Sequence, residues 1–548
     1  MTAHVQHFPE RDVVIYDTTL RDGEQGEFIA YSLEDKIRIA QRLDEFGMDY
    51  IEGGWPGSNP KAISFFEAMK KIRLGRARLA AFGSTRRKGL AAKDDPQVQM
   101  LLQAETPVVT IFGKTWDFHV HEALRCTLEE NLEMISDTVA CLVGEGREVV
   151  YDAEHFFDGF HANPDYALKT LEAAAQAGAN WLVLCDTNGG TMPGRVAQIT
   201  ADLCRKFAVP LGIHPHNDAG VATANALAAV QAGATQVQGT VNGYGERCGN
   251  VDLIQVIPNL ELKFDRRCTH PGQLKELTPL SHFVAEVANL TPDPRQPYVG
   301  QTVFAHKGGI HVSAVNRNPA TYEHIPPETV GNRRRVLVSE QSGQSNVVYK
   351  LEEMGLGRDG SDSANLKEVV QRIKEMEADG YQFEAAEASF ALLLHEARAG
   401  KPDLFAVESF RVHTFRDGHY DAESFSEAVV KVGVQGECHL EVSEGDGPVN
   451  ALDGALRKAL IHHYPELAGI SLTDFKVRVL SSREGTSAKV RVLVTSRDEE
   501  ASWTTCGVST NVIEASYLAL VDAFNYALLR HRGLLASITK AEVPAGVS

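Results

Sequence analysis

Residues 212–220 read GIHPHNDAG, at the end of an apolar run. His214 and His216 are two apart. On a strand, such side chains leave the same face, so both rings can reach one point. Imidazole is a common ligand for divalent metals. A lone histidine would read as a structural residue; two at this spacing, followed by Asn217 and Asp218, point to a metal. Such a site also wants oxygen ligands. DTTLRDGEQ (17–25) offers Asp17, Asp22 and Glu24, with Arg21 among them. NGYGERCGN (242–250) offers Asn242, Glu246 and Asn250. Two histidines, a carboxylate and an amide oxygen would make a Lewis acid for a carbonyl. Mg²⁺, Mn²⁺ and Zn²⁺ all suit that donor set. Arg21 beside it could stabilise an enolate or alkoxide as charge develops, or serve as a structural ion-pair partner.

These residues need a scaffold that brings distant segments together. The first 260 residues alternate short Val/Ile-rich runs with helical stretches. Eight runs read as strands: 13–20, 50–55, 78–85, 107–113, 148–156, 181–189, 210–218 and 235–243. SLEDKIRIAQRLDEFGM (32–48) reads as a helix with Ser32 as N-cap. Gly47, Gly178 and Gly233 punctuate helix C-termini. Eight β/α units in this length fit a TIM barrel better than an open sheet. In that fold, chemistry sits at the C-terminal strand ends. The polar clusters DTTLRDGE, EGGWPGSN, DAEHFFDG, CDTNGG, HPHND and NGYGERCGN all fall there, though any one alone would pass for an ordinary loop. Strands one, seven and eight are neighbours in a closed barrel, so their ligands can converge.

The pattern changes after about residue 290. Residues 293–345 are loop-rich and contain Pro294, Pro297, Pro319, Pro326 and Pro327; 365–398 read as helices. The tail then alternates with period two at 410–415, 427–442, 475–480 and 488–496. GPVNALDGALRKAL (447–460) and GVSTNVIEASYLAL (507–520) form a weak repeat when aligned on Asn450 and Asn511. The expected architecture is α/β: a catalytic (β/α)₈ barrel at 1–290, helical linker subdomains at 291–404, and an α+β regulatory or dimerisation domain of two βββα units at 405–548.

The formal net charge of −19 argues against general nucleic-acid or anionic-membrane binding. MTAHVQHFPERD carries no apolar signal core, and no run of about 18 apolar residues follows. The expected location is the cytoplasm. Eight cysteines without a CxxC pair fit free thiols in a reducing compartment. KGGI (307–310) lacks phosphate-loop spacing. GNRRR (331–335) reads as a solvated basic run or as a contact for CoA phosphates.

DTTLRDGEQ, HPHND and NGYGERCGN, in this order, resemble the metal-dependent acyltransferase branch of the DRE-TIM metallolyases, which holds the isopropylmalate, homocitrate and citramalate synthases. EGGWPGSNP, AFGSTRR, IFGKTWDFHV, YDAEHFFDG and LCDTNGG resemble the long-form citramalate synthases of that branch in particular, and the tail resembles the branch's regulatory domain. The resemblance covers nearly the whole chain. It implies that Asp22, His214 and His216 hold the metal, with Asn250 as a further ligand or close neighbour. Arg21 would stabilise the enolate and alkoxide, and Glu154 would position or relay protons. FAHKGGIHVSAVNRNPATYE would supply His311 and Tyr322, with His306 as a rival for His311. It also implies a homodimer and a feedback effector at the tail, for which the pathway suggests isoleucine.

The implied reaction joins acetyl-CoA to a 2-oxo acid. A histidine titrates near neutrality, which suits removal of a methyl proton. Thr187, at the sixth strand end, could hydrogen-bond the acid's carboxylate or be structural. Trp55, at the second, could fill space that an acid larger than pyruvate would need, or simply pack. The expectation is condensation of acetyl-CoA with pyruvate to citramalate, on the way to isoleucine. The alternatives are 2-oxoisovalerate as acceptor (isopropylmalate synthesis), an aldol-cleaving lyase, and a non-catalytic amino-acid sensor.

Overall fold

The computed structural model describes residues 10–339, 342–353, 363–416, 424–480 and 487–535. Most of the N-terminal stretch read above for a signal lies outside them. The chain forms two compact units, Met1–Phe304 with Ile325–Arg333 and Ala305–His324 with Arg334–Ser548.

In the first unit, β1 (Val14–Asp17), β2 (Tyr50–Gly54), β3 (Arg78–Ser84), β4 (Val108–Lys114), β5 (Glu148–Glu154), β6 (Trp181–Asp186), β7 (Leu211–Pro215) and β8 (Gln236–Gly239) close into a parallel barrel in chain order. β8 pairs back onto β1, with Asp17 opposite Gly239. Period-two alternation divides the strand side chains into two sets. Ile15, Ile51, Val109, Val149, Leu182 and Ile213 pack with the surrounding helices in the main core. Val14, Tyr16, Tyr50, Ala80, Val150, Trp181 and Val183 fill a separate inner cluster. Helix Leu33–Phe46 starts with a full capping box: Asp35 N–H donates to Ser32 Oγ, and Ser32 N–H donates to Asp35 Oδ2. It ends at Gly47, whose φ of 92° a glycine takes without strain.

The strand starts agree with the sequence reading; most ends fall short of it. Thr18–Leu20, Thr187–Gly189 and Val241–Gly243 leave the barrel ladder for turns, and Thr240 makes an isolated bridge to Asp252. Thr18 Oγ1 donates to Gly239 O of β8, Thr187 Oγ1 accepts from His155 N–H, and Thr240 Oγ1 donates to Tyr244 O.

In the second unit, a short parallel pair, β9 (Ala305–His306) and β10 (Arg335–Val336), accompanies the helices Gly309–Arg317, Gln344–Glu353, Ser363–Ala378 and Glu387–Ala399. The stretch read as 365–398 is therefore two helices, broken near Gly380 (φ 116°). Two antiparallel sheets follow: β11 (Ala406–Phe415), β12 (Phe425–Val434) and β13 (Glu437–Gly445), then β14 (Ser471–Val479), β15 (Val490–Arg497) and β16 (Ser502–Ser509). Helix Pro448–Ile461 follows the first and helix Val512–His531 the second. These are the two expected βββα units.

The repeat's register differs from the sequence alignment. Asn511 caps its helix by accepting from the N–H groups of Ile513 and Glu514, whereas Asn450 lies inside its own helix, whose N-cap is Gly447. Matching the caps pairs buried Ala451 with Ala515, Ala455 with Ala519 and Leu456 with Leu520. Helix Val512–His531 is long and apolar enough to cross a membrane. Here it packs on β15 and β16 and carries the half-buried Asp522 and the buried Arg530.

Candidate active site

β1 ends in a tight turn. The N–H groups of Arg21, Asp22 and Gly23 all point at Thr18 O. Asp17 is spent on bracing this turn, since its carboxylate accepts from Thr19 N–H and Thr19 Oγ1, both at 2.9 Å. Glu24 is engaged by Lys36 and Lys61. Asn242 Oδ1 accepts from Ser281 and Gln296. Of the oxygens weighed from sequence, those of Asp22 and Asn250 lie within hydrogen-bond distance of His214, while Glu246 lines the cavity beside it.

His214 Nε2 lies 3.1 Å from Asp22 Oδ2 and 3.0 Å from Asn250 Oδ1. The His216 ring stacks on it at 5.3 Å between centroids. His216 lies beyond β7, but a bridge to Asn250 continues the extended backbone and keeps both rings on one face. The ligating atoms of Asp22, His214 and His216 all lie within 4.8 Å of one another. Gln238 explains the orientation of His214. Its Nε2 donates to Asp152 Oδ1 at 3.0 Å, so its Oε1 accepts from His214 Nδ1–H at 2.7 Å, leaving His214 Nε2 for a cation. Asn250 is likewise oriented, because its Nδ2 donates to Tyr244 O at 3.1 Å. His216 Nδ1 is buried with no hydrogen-bond partner among the described residues.

The charges agree with a cation site. Burial alone would raise Asp22, but Arg21 and His214 outweigh it and hold its carboxyl well below the usual range. Burial works against a charged His214; its hydrogen bond to the Asp22 carboxylate overrides it and lifts the ring to about 9. His216 is pushed down to about 4 by burial and by His214. A proton on His214 Nε2 thus lies between two oxygens, where a divalent ion would replace it, and His216 keeps a free lone pair. The donors fit a divalent metal.

Arg21 spans the next edge. Its Nη1 is 3.2 Å from Asp22 Oδ2, its Nε donates to Glu52 Oε2 at 2.5 Å, and its guanidinium lies 3.8 Å above the Phe82 ring. Glu52 is fully buried and also accepts from Tyr16 Oη at 2.9 Å. A cavity of about 570 Å³ opens above these groups, lined among others by Arg21, Trp55, Glu154, Thr187, His214 and His216. Trp55 meets Phe82 and Phe112 edge-on at 6.2 and 6.0 Å, forming an aromatic wall. Glu154 is ion-paired with Lys114. Thr187 Oγ1 accepts from His155 N–H at 2.9 Å, which leaves its own proton to donate. Buried Asp152 also lines the cavity, and burial pushes it up to about 7.

His311 and Tyr322 belong to the second unit and stand together there, ring centroids 4.3 Å apart, both exposed. His306 is buried against Glu323 at 3.0 Å, and Arg334 grips the same carboxylate through two bonds of 2.6 Å. Of the two rivals, His311 is the solvent-facing one. Arg334 of the basic run is a structural ion-pair partner.

Sequence reasoning missed Glu52, Gln238 and Asp152. Each stands at an inward position of its strand beside a polar neighbour. A carboxylate inside YIEGGW is a costly residue to bury without a partner, and that cost was the available signal.

Residues 12–284 match the HMGL-like family, 298–381 the homocitrate synthase post-HMGL domain-like family, and 384–528 the LeuA allosteric (dimerisation) domain. A Geobacter sulfurreducens protein named (R)-citramalate synthase is 55% identical, over 94% of this chain and 97% of its own. A Synechocystis protein of the same name is 53% identical, over 96% and 98%. A Methanocaldococcus jannaschii 2-isopropylmalate synthase is 30% identical, over 96% of each chain. The barrel with its His-x-His centre, the two βββα units and these full-length likenesses place the chain in the citramalate synthase branch of the isopropylmalate, homocitrate and citramalate synthase family.

Proposed function

We propose that this protein is an (R)-citramalate synthase that condenses acetyl-CoA with pyruvate and water to give citramalate and CoA. The observation that carries the reading is the convergence of Asp22, His214, His216 and Asn250 beneath a cavity walled by Arg21 and by Trp55, Phe82 and Phe112. Full-length relatives of that name support it.

Asp22, His214, His216 and Asn250 would hold a divalent ion, Mg²⁺, Mn²⁺ or Zn²⁺, and that ion when bound supplies Lewis acidity for the keto group. Arg21, clamped by Glu52, presents its remaining N–H groups to the oxygen on which charge develops. Thr187 Oγ1 donates to the acid's carboxylate. The aromatic wall packs against the methyl of pyruvate and excludes longer chains. His311, with Tyr322 beside it, removes a methyl proton from acetyl-CoA. The new bond joins that carbon to the keto carbon, and the former keto oxygen takes up a proton. Glu154, held by Lys114, positions or relays protons. Water then cleaves the thioester, which makes the reaction irreversible.

The division into a barrel to residue 290, linker subdomains to 404 and a regulatory domain beyond belongs to the same reading. So do a homodimer, feedback by isoleucine at the βββα units and a cytoplasmic location. The retained site residues weigh against a non-catalytic sensor.

The test is CoA release by the purified protein with acetyl-CoA and Mg²⁺ or Mn²⁺, with and without chelator. Pyruvate is compared with 2-oxobutyrate, 2-oxoisovalerate and 2-oxoglutarate. Chelator-sensitive turnover strongest on pyruvate is expected. Preference for 2-oxoisovalerate would move the protein to isopropylmalate synthesis, and no turnover with any acid would overturn the reading.

A further inference from the structure

The first βββα unit carries a second convergence of ligating side chains. Glu437 and His439 lie two apart on β13, which is entered through a tight turn at Gln435 and Gly436 (φ 52° and 88°). They leave the same face. Their cross-strand partners on β12, Val434 and Val432, are buried in the core that also holds Leu456 and Leu460 of helix Pro448–Ile461. His463 stands just past the end of that helix. Its backbone is pinned: the N–H groups of His463 and Tyr464 bond to Leu460 O at 3.0 and 2.9 Å, and Tyr464 Oη donates to Leu404 O at 2.6 Å.

The two imidazoles meet nitrogen to nitrogen. His439 Nε2 and His463 Nε2 are 2.8 Å apart, and Glu437 Oε2 is 3.8 Å from the first and 3.9 Å from the second. Two ring lone pairs cannot face each other at that distance. Either a proton lies between them or a cation takes its place. For a tetrahedral ion with bonds of about 2.0–2.1 Å, ligand atoms stand roughly 3.4 Å apart, and the observed triangle brackets that spacing. The rings are mostly buried, with side chains 22% and 17% exposed, so their positions are held; the Glu437 side chain, 72% exposed, has freedom to close the gap. Its open side leaves a fourth position for water. The helix C-terminus beside His463 favours positive charge. Cys438 points to the opposite face and takes no part.

We infer that Glu437, His439 and His463 form a divalent-cation site of the Zn²⁺ class that ties β13 to the end of helix Pro448–Ile461. It is separate from the barrel centre and shares no residue with it.

The experiment is equilibrium dialysis of the full chain, stripped with chelator, against Zn²⁺, comparing wild type with the double variant His439→Gln/His463→Gln. The wild type should bind one equivalent more per chain than the variant, because the barrel centre takes Zn²⁺ in both. Equal stoichiometry overturns the site. A variant that does not fold in chelator would leave the count uninterpretable, so crystals of wild type soaked in Zn²⁺ give the independent measurement. An anomalous peak between the two Nε2 atoms supports the site, and its absence overturns it.

Discussion

Arg21 and Glu52 form a single clamp: Arg21 Nε donates to a fully buried Glu52 Oε2 at 2.5 Å, while Arg21 Nη1 reaches Asp22. The guanidinium is therefore fixed on two edges before any substrate arrives. Its face is fixed as well, against Phe82. A donor held this way costs no reorganisation when charge develops in front of it.

Glu52→Gln keeps the shape of the clamp and removes its charge. Arg21 would then be held by a weaker neutral bond. The expected result is a fall in kcat of about 10–100-fold, or roughly 1.4–2.7 kcal/mol, with the KM for the acid changed less. Steady-state kinetics check this, and an unchanged kcat would make Glu52 a purely structural partner.

Gly245 makes room for Asn250. Its φ is 153°, and a Cβ there would lie 2.3 Å from Asn250 Nδ2. Gly245→Ala should push that amide off its bond to Tyr244 O and turn its oxygen away from His214. Metal affinity should drop about 10–100-fold, as is typical when the groups orienting a ligand are lost. Mn²⁺ titration of both proteins measures it.

Trp55 closes the aromatic wall against Phe82 and Phe112. Trp55→Gly should raise kcat/KM for 2-oxobutyrate and 2-oxoisovalerate relative to pyruvate by at least about tenfold, the lower end of what one methylene is worth in an apolar pocket. An unchanged ratio in competition assays would reduce Trp55 to packing.

The barrel was legible because its strands are short runs rich in Val and Ile and its helices end on glycines such as Gly47. The strand ends were not. Thr18 and Thr187 favour extended backbone by type, yet they leave the strands and bond to Gly239 and His155, partners that spacing along the chain does not reveal. By residue type alone Asp17 and Asp22 were equivalent in DTTLRDGE, and the family resemblance singled out Asp22; the turn on Thr18 O lets Asp17 brace Thr19 and Asp22 reach His214. The repeat was visible through its two asparagines, but only the helix caps set its register. Glu437, His439 and His463 were invisible, because a helix of 14 residues separates the third from the first two.

Asp522 gives a pH signature to the second unit. Burial lifts it to about 7 from 3.8, although Ser389 donates to it at 2.7 Å. The folded chain therefore keeps a proton that the unfolded chain loses above about pH 4. The group costs nothing below that pH, costs progressively more up to about pH 7, and a constant amount beyond. Asp522→Asn removes this titration and keeps an acceptor for Ser389. Its stability relative to wild type should rise between pH 4 and 7, by up to about 4 kcal/mol, and then level off. Thermal unfolding across that range tests it, and parallel curves would contradict it.

The central claim is that the acid's keto oxygen and carboxylate bind at the centre formed by Asp22, His214 and His216. Electron paramagnetic resonance of Mn²⁺ bound to the protein, with pyruvate labelled with ¹⁷O at the keto and carboxylate oxygens, tests it most directly. The account predicts line broadening from the label in wild type, and loss of the bound-Mn²⁺ signal in His216→Gln. An unbroadened spectrum with pyruvate bound, or a His216→Gln variant that holds Mn²⁺ as wild type does, would contradict it.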